Sequence, residues 1–349
     1  MKTGGTMETG TRRDRVFGCL FCGAAGDALG YPVEFDDLEQ IRLSYGESGI
    51  REYVRIDGVA QVSDDTQMTV FTADGLIAAR NDAVCQDDIK AHCEYLLKAY
   101  RQWASMQVED YPLTDFESPS KLAQVRELYE VRDPGRTCIL SLLRDETGTV
   151  SSPANDSKGC GGVMRVAPVG LYMHPEARME DVIYLAAEAA AITHGHPYGY
   201  LTAAVFAGMV YQLVNGYTEE IELALYHTLK TCAAVFAESE YMMPLSEKLK
   251  EAADLTKENI PEKDAISRLG EGWVAEEALA IAVYCAIKHP DDPAQALCSA
   301  VNHSGDSDST GAITGNLVGA RCGYAALPEN LMRGLELSEV LRELAEEFA

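Results

Sequence analysis

DSTGAITGNLVGARCGYAAL, residues 308–327, places glycine at 311, 315, 319 and 323. Residues four apart lie on one slowly drifting face of an α-helix. Each glycine inside a helix costs about 0.8–1.0 kcal/mol against alanine, so the set costs about 3–4 kcal/mol. Close approach of a second helix along that face would offset the cost. The segment 309–326 therefore reads as a core helix packed backbone to backbone. Direct ligand contact along the glycine face is the other use of such a stripe.

Helical spacing continues along the chain on both sides. Apolar residues recur at three and four positions in Ile89-Cys93-Leu96-Leu97-Tyr100, in Val182-Leu185-Ala186-Ala189 and in Leu279-Val283-Ala286-Ile287. Further helices are expected near 15–29, 64–80, 136–145, 198–215, 218–239, 244–257, 293–302 and 330–347. Strand-like alternation is scarce, and its best example is REYVRI at 51–56. Many helices without a sheet signal make a compact all-α domain the economical architecture. No Pro/Gly/Ser linker divides the chain. The polar, Gly/Thr-rich residues 1–14 read as a flexible lead-in, and 15–349 as one domain. Long connections at 31–62, 105–120 and 146–163 have the lengths of binding loops.

The formal net charge of -26 repels nucleic acid and anionic membranes, which argues against binding through phosphate neutralisation. It also burdens an enzyme whose substrate carries phosphate, unless bound divalent cations relieve the field locally. No apolar run reads as a membrane span, and the N-terminus lacks the apolar core of a signal peptide. Among ten cysteines, Cys19 and Cys22 form a CxxC that no second pair answers. Cys93, Cys232, Cys285 and Cys298 sit singly in apolar helical stretches, as small buried hydrophobes. A thiol-rich chain of this kind suits a reducing compartment, and a cytoplasmic location is expected.

Two acidic segments precede helices. Ser63-Asp64-Asp65-Thr66 opens the run QMTVFTADGLIAA, and Gly305-Asp306-Ser307-Asp308-Ser309-Thr310 opens the glycine helix. Helix capping accounts for part of this, because a serine can satisfy free N–H groups and acids favour the positive end of the dipole. Capping does not account for two segments of the same composition. Crowded carboxylates repel and raise one another's pKa. With serine hydroxyls beside them and no Cys or His pair, they form a hard oxygen donor set. Such a set suits magnesium or manganese rather than zinc or copper. An EF-hand is excluded, because neither segment has an acid at the twelfth loop position.

Six ordered blocks resemble the ADP-ribosylglycohydrolase family: GAAGDALGYPVEF (23–35), SDDTQM (63–68), GCGGVMRVAPVG (159–170), ITHGHP (192–197), EGWVAEEALAIAVYC (271–285) and NHSGDSDSTGAITGNLVGA (302–320). That family includes ADP-ribosylarginine hydrolase and the dinitrogenase reductase-activating glycohydrolase. The resemblance implies a single-domain orthogonal helical bundle with two Mg2+ or Mn2+ ions. By motif position the ligands are Ser63, Asp64 and Asp65, then Asp306, Asp308 and Ser309. Glu34 matches an acidic residue of the active site, so that Glu34, Asp65 and Asp306 are the candidate general acid and base. Ser157, Lys158, Gly159, Cys160 and Gly161 match the segment that wraps a substrate diphosphate, followed by Met164. Glycines there would let backbone N–H groups reach phosphate oxygens. His194 lies near the substrate by the same resemblance. His194 and His196 at a helix C-terminus also suit the dipole alone. Trp273 packs in the core or lines the adenosine or ribose pocket.

The activity implied is hydrolysis of the N-glycosidic bond of ADP-ribosyl-arginine on a modified protein, through an oxocarbenium-like transition state. Two alternatives stay open. One is an O-linked or other adduct, such as ADP-ribosyl-serine, O-acetyl-ADP-ribose or a modified base. The other is a non-catalytic ADP-ribose-binding relative, although all six ligand positions carry oxygen donors. The partners implied are ADP-ribosylated proteins, including the target of a cognate ADP-ribosyltransferase or toxin.

Overall fold

Thr11 opens the first helix, its hydroxyl accepting a hydrogen bond from the Asp14 N–H at 3.2 Å. The computed structural model describes residues 10–85 and 87–349. Of the expected lead-in, residues 1–9 lie outside the described residues, while Arg12 onward is already helical. The described chain runs α1 (Arg12–Gly30), α2 (Leu38–Tyr45), a two-stranded antiparallel hairpin of β1 (Arg55–Ile56) and β2 (Val59–Ala60), α3 (Asp64–Asn81) and α4 (Ile89–Met106). It continues through α5 (Arg136–Leu143), α6 (Ala167–Tyr172), α7 (Met179–Ala191), α8 (Pro197–Val214), α9 (Ile221–Val235) and α10 (Met242–Leu255). The last elements are α11 (Glu262–Leu269), α12 (Ala275–Lys288), α13 (Pro293–Val301), α14 (Ser307–Cys322), α15 (Glu329–Met332) and α16 (Ser338–Phe348). The fold is all-α, as expected.

Helices α1 and α14 form the axis of the core, with α13, α12 and α8 packed around α14. The glycine stripe faces a second stripe on α1. A Cβ on Gly319 would lie 2.1 Å from the Gly18 carbonyl oxygen, and one on Gly26 would lie 2.0 Å from that of Gly311. A Cβ on Gly315 would meet the Cys22 carbonyl oxygen at 2.0 Å. Helix–helix packing, not ligand contact, is thus what the stripe does. Asn316 ties the two helices by donating from Nδ2 to the Cys19 carbonyl at 2.8 Å.

Several expectations need correction. Residues Arg12–Val33 are long and apolar enough by composition to cross a membrane, and 89% of their most apolar stretch is buried inside the protein. Only the last two residues of REYVRI pair as a strand. The connection at 31–62 holds α2, whose start is a capping box in which Asp37 and Gln40 exchange hydrogen bonds. Its single buried residue, Ile41, left no periodicity to read. Short α6 and α11 escaped for the same reason of length. The expected helix at 309–326 stops at Gly323, whose φ of 80° ends it. The one at 330–347 divides into α15 and α16, with Leu337 at φ 57° between them. Cys93 is half-buried rather than buried, while Cys19, Cys22, Cys232, Cys285 and Cys298 are buried and free.

Candidate active site

Asp27 on α1 organises the first acidic segment. Its buried carboxylate accepts from the backbone N–H groups of Ser63 at 2.9 Å and Thr66 at 3.1 Å, and from the Thr66 hydroxyl. The start of α3 is thereby pinned to α1. Ser63 caps that start, its hydroxyl accepting from the Asp65 N–H at 3.2 Å. Asp64 accepts from the Gly135 N–H at 3.0 Å, which ties α3 to the segment before α5. Asp27 was not legible as a site residue, being a lone acid in the apolar run from Val16 to Gly30 of α1. Its position inside the GAAGDALG block is the signal that could have found it.

The second segment is built in the same way. Asp306 and Asp308 accept from the Ser309 N–H at 3.3 and 2.9 Å. The Asp306 N–H donates to the Glu271 carbonyl at 2.8 Å. Gly305, at φ 130°, is required there, since a Cβ would lie 2.0 Å from that same carbonyl oxygen. Both segments are therefore genuine caps, and they also meet. Ser63 of the first segment and Asp306 of the second both lie near enough to the Asp308 carboxyl to act on its pKa. The α1–α14 packing is what brings these helix starts together.

Burial followed by mutual repulsion shapes the electrostatics. Asp64, Asp65, Asp306 and Asp308 all have pKa values raised, in each case chiefly by burial. Asp27 is pushed up to about 7 by burial and the Asp308 charge. Glu34, just after the turn Tyr31–Val33, is pushed up to about 10 by burial and then by Asp308 and Asp306. Glu34 Oε2 and Asp65 Oδ2 are buried without a hydrogen-bond partner. Orphaned oxygens in so negative a cluster fit the neighbourhood of a hard divalent cation. Among the described residues, however, no three His, Cys, Asp or Glu side chains are arranged to hold an ion by themselves.

One cavity gathers most of the expected residues. Glu34, Asp64, Asp65, Asp306, Asp308 and Ser309 line its acidic side. Gly159, Cys160, Gly161, Met164, His194 and Trp273 line the cavity as well. Ser63 stands behind the wall, engaged with Asp65 and Asp308. Ser157 bonds the Thr137 hydroxyl at 3.1 Å and does not line the cavity. Lys158 turns away, its Nζ 2.7 Å from Glu276 Oε1 and over the Tyr198 ring. Its backbone carbonyl accepts from the Ala275 N–H at 2.9 Å, and Cys160 N–H donates to the Trp273 carbonyl at 3.3 Å. These bonds hold the glycine loop against the segment that carries Trp273. Trp273 stacks on Phe35 at the cavity mouth, centroids 6.0 Å apart and planes 15° apart. Asp133, Arg136, Thr137 and Cys138 also line the cavity, and the sequence pattern had not singled them out. His196 caps α8 instead, its Nδ1 accepting from the Tyr198 N–H at 3.0 Å.

An all-helical body around an acid-lined cleft, faced by a glycine loop, defines a class of hydrolase fold. The chain matches the model of the ADP-ribosylglycohydrolase family over residues 8–349, and it belongs to that family. It is 27% identical over 331 residues to an uncharacterised protein of Archaeoglobus fulgidus, covering 94% of this chain and 93% of that one. It is 27% identical to mouse ADP-ribosylhydrolase ARH3 over 248 residues, covering 61% of this chain and 66% of that protein. It is 25% identical to ADP-ribosyl-[dinitrogen reductase] glycohydrolase of Rhodospirillum rubrum, covering 95% of this chain and 93% of the relative. A solved structure described as an ADP-ribosylglycohydrolase-related protein complex superposes with a TM-score of 0.64 at 24% identity, covering 97% of each chain, which shows the shared fold. The family supports ADP-ribosyl hydrolase activity on ADP-ribosylated proteins or ADP-ribose adducts, and it is generally metal-dependent.

Proposed function

We propose that this hydrolase cleaves the N-glycosidic bond of ADP-ribosyl-arginine on modified proteins, using two Mg2+ or Mn2+ ions. The observation that carries the reading is the crowding of buried carboxylates on one wall of the cavity, with Glu34 Oε2 unpartnered beside them. An acid-rich wall suits a cationic leaving group, and the guanidine of arginine takes up a proton readily. The exposed Phe35–Trp273 stack at the mouth offers flat faces to a planar guanidinium.

The metal ligands in this reading are Ser63, Asp64, Asp65, Asp306, Asp308 and Ser309, drawn from both helix starts at once. Bound divalent cations supply charge neutralisation and an acidified water. The chain's own residues do the rest. Gly159 and Gly161 present backbone N–H groups to an anion, the Cys160 N–H being taken by the Trp273 carbonyl, and the low side-chain bulk of the loop lets it approach. Glu34, Asp65 and Asp306 stand where positive charge develops at the anomeric carbon and are the groups that move the proton. Ten free thiols suit the reducing cytoplasm, where ADP-ribosylated protein targets are the proposed partners.

The test is direct. The protein with magnesium is incubated with arginine-linked and serine-linked ADP-ribosyl peptides, and released ADP-ribose is measured. Release from the arginine linkage alone is expected. Preference for the serine linkage would replace the substrate assignment. Failure to cleave either, on confirmed intact peptides that bind, would make the protein a reader rather than a hydrolase.

A further inference from the structure

Among the described residues, no carboxylate pairs with the Arg165 guanidinium. It is wholly buried, lies 4.3 Å over the Tyr100 ring and donates to sulfur and oxygen acceptors only. Nη1 reaches the Cys138 sulfur at 3.4 Å, and Nη2 donates to the Ala189 carbonyl at 3.1 Å and to the Thr193 hydroxyl at 2.8 Å. Burying an unpaired cation is costly, so what it does at Thr193 matters. The Thr193 Oγ1 in turn lies 2.9 Å from His194 Nδ1.

Donor chemistry gives this chain a direction. Arginine can only donate, so Thr193 Oγ1 accepts from it. The Thr193 hydroxyl hydrogen is then free for an acceptor. Within reach are His194 Nδ1 and the Cys138 sulfur, and sulfur is the weaker acceptor. An imidazole that accepts at Nδ1 carries its single hydrogen at Nε2. The ring is in its neutral form, because burial and then the Arg165 charge push the His194 pKa down to about 3. Nε2 faces the glycine loop: a Cβ added to Gly159 would sit 3.4 Å from it, and one on Gly161 3.3 Å.

We propose that Arg165 and Thr193 form a buried relay that fixes His194 as the Nε2–H tautomer, aimed across Gly159 and Gly161 to donate to a diphosphate oxygen of the substrate. The inference rests on the reading of the glycine loop as an anion cradle. Arg165 and Thr193 are positioning residues, neither of which lines the cavity. The opposite tautomer would turn a lone pair toward the anion and leave Thr193 Oγ1 accepting twice.

Long-range proton–nitrogen NMR of histidine-labelled full-length protein reads the tautomer, with His194 assigned by a His194→Gln sample. Nε2–H is expected in the wild type and a mixture in Thr193→Val, with Thr193→Ser restoring the wild-type pattern. In parallel, free ADP-ribose with saturating magnesium should bind Thr193→Val about 10-fold more weakly, the loss typical of a misaimed hydrogen bond to a charged group. Nδ1–H in the wild type, or an undisturbed Nε2–H in Thr193→Val, overturns the relay. A wild type with the expected tautomer but no affinity for ADP-ribose overturns the diphosphate assignment instead, and with it the functional reading of the loop. A merely structural Thr193 would lower the thermal midpoint of Thr193→Val and leave both tautomer and affinity alone.

Discussion

The Cys160 thiol donates to Asp306 Oδ2 across 2.8 Å, so the glycine loop and the start of α14 are joined inside the cavity. Burial, with the Asp306 and Asp65 charges, pushes the thiol pKa well up. A thiol held protonated is no nucleophile. Cys160→Ala removes one neutral donor, and its kcat should fall by at most about 10-fold, the scale of one such hydrogen bond. A loss of several thousand-fold in steady-state release of ADP-ribose would show covalent chemistry at sulfur.

Asp306 is buried beside Asp308, and both the burial and that charge push its pKa up. Asp306→Ala should cost at least about 100-fold in activity, the scale seen when a metal site loses a supporting group. Its metal-free thermal midpoint should hold or rise, since one of several buried like charges is gone. Loss of helical circular dichroism in this variant would mark Asp306 as a structural residue.

The pH dependence of the metal-free protein has a definite sign. Asp27 is raised to about 7 and Glu34 to about 10, so the folded state holds protons that the unfolded state releases. Their stabilisation is complete below the ordinary carboxylate range and is lost as pH rises through those values. With EDTA present, the thermal midpoint should fall between pH 5 and pH 8, and Asp27→Asn should flatten that fall. Magnesium at pH 8 should raise the midpoint by mass action. A midpoint that ignores both pH and magnesium would contradict the charge crowding described for the site.

Gly315→Ala tests the helix axis. Alanine gains about 0.8–1.0 kcal/mol of helix propensity. Its Cβ, however, would stand 2.0 Å from the Cys22 carbonyl oxygen, a backbone atom that a rotamer change does not clear. A net loss of about 1–3 kcal/mol in denaturant unfolding is expected. Unchanged stability would mean that α1 and α14 are free to separate.

What the sequence shows about this site follows how the groups are strung. Acids one or two positions apart in the chain, Asp64 with Asp65 and Asp306 with Asp308, announce themselves because their crowding is local. The glycine stripe announces its helix for the same reason, though not that Gly18 and Gly26 face it. Asp27 and Arg165 are single charged residues in apolar runs, and only tertiary packing shows that one pins α3 and the other leans on Thr193. Asp133 reaches the cavity from an irregular connection, where no period exists to read, and Arg136 and Thr137 from the first turn of α5, whose expected helix carried no sign that its start faces a site. Lys158 shows the converse limit. Its place in the glycine loop is visible in the sequence, but its direction is set by Glu276 on α12, more than a hundred residues away.

The α1–α14 contact also governs when the catalytic apparatus can exist. Asn316 and Cys19, which tie those helices, stand 297 positions apart in the chain. During synthesis the N-terminal acids emerge long before their partners, and α1 must wait with its apolar glycine face unmatched. Contacts so distant in sequence are slow to close and leave sticky intermediates exposed meanwhile. A ribosome that stalls before α14 would release an aggregation-prone chain with half a site. Activity therefore arrives all at once with the final helices, and a prematurely terminated product should have none to lend.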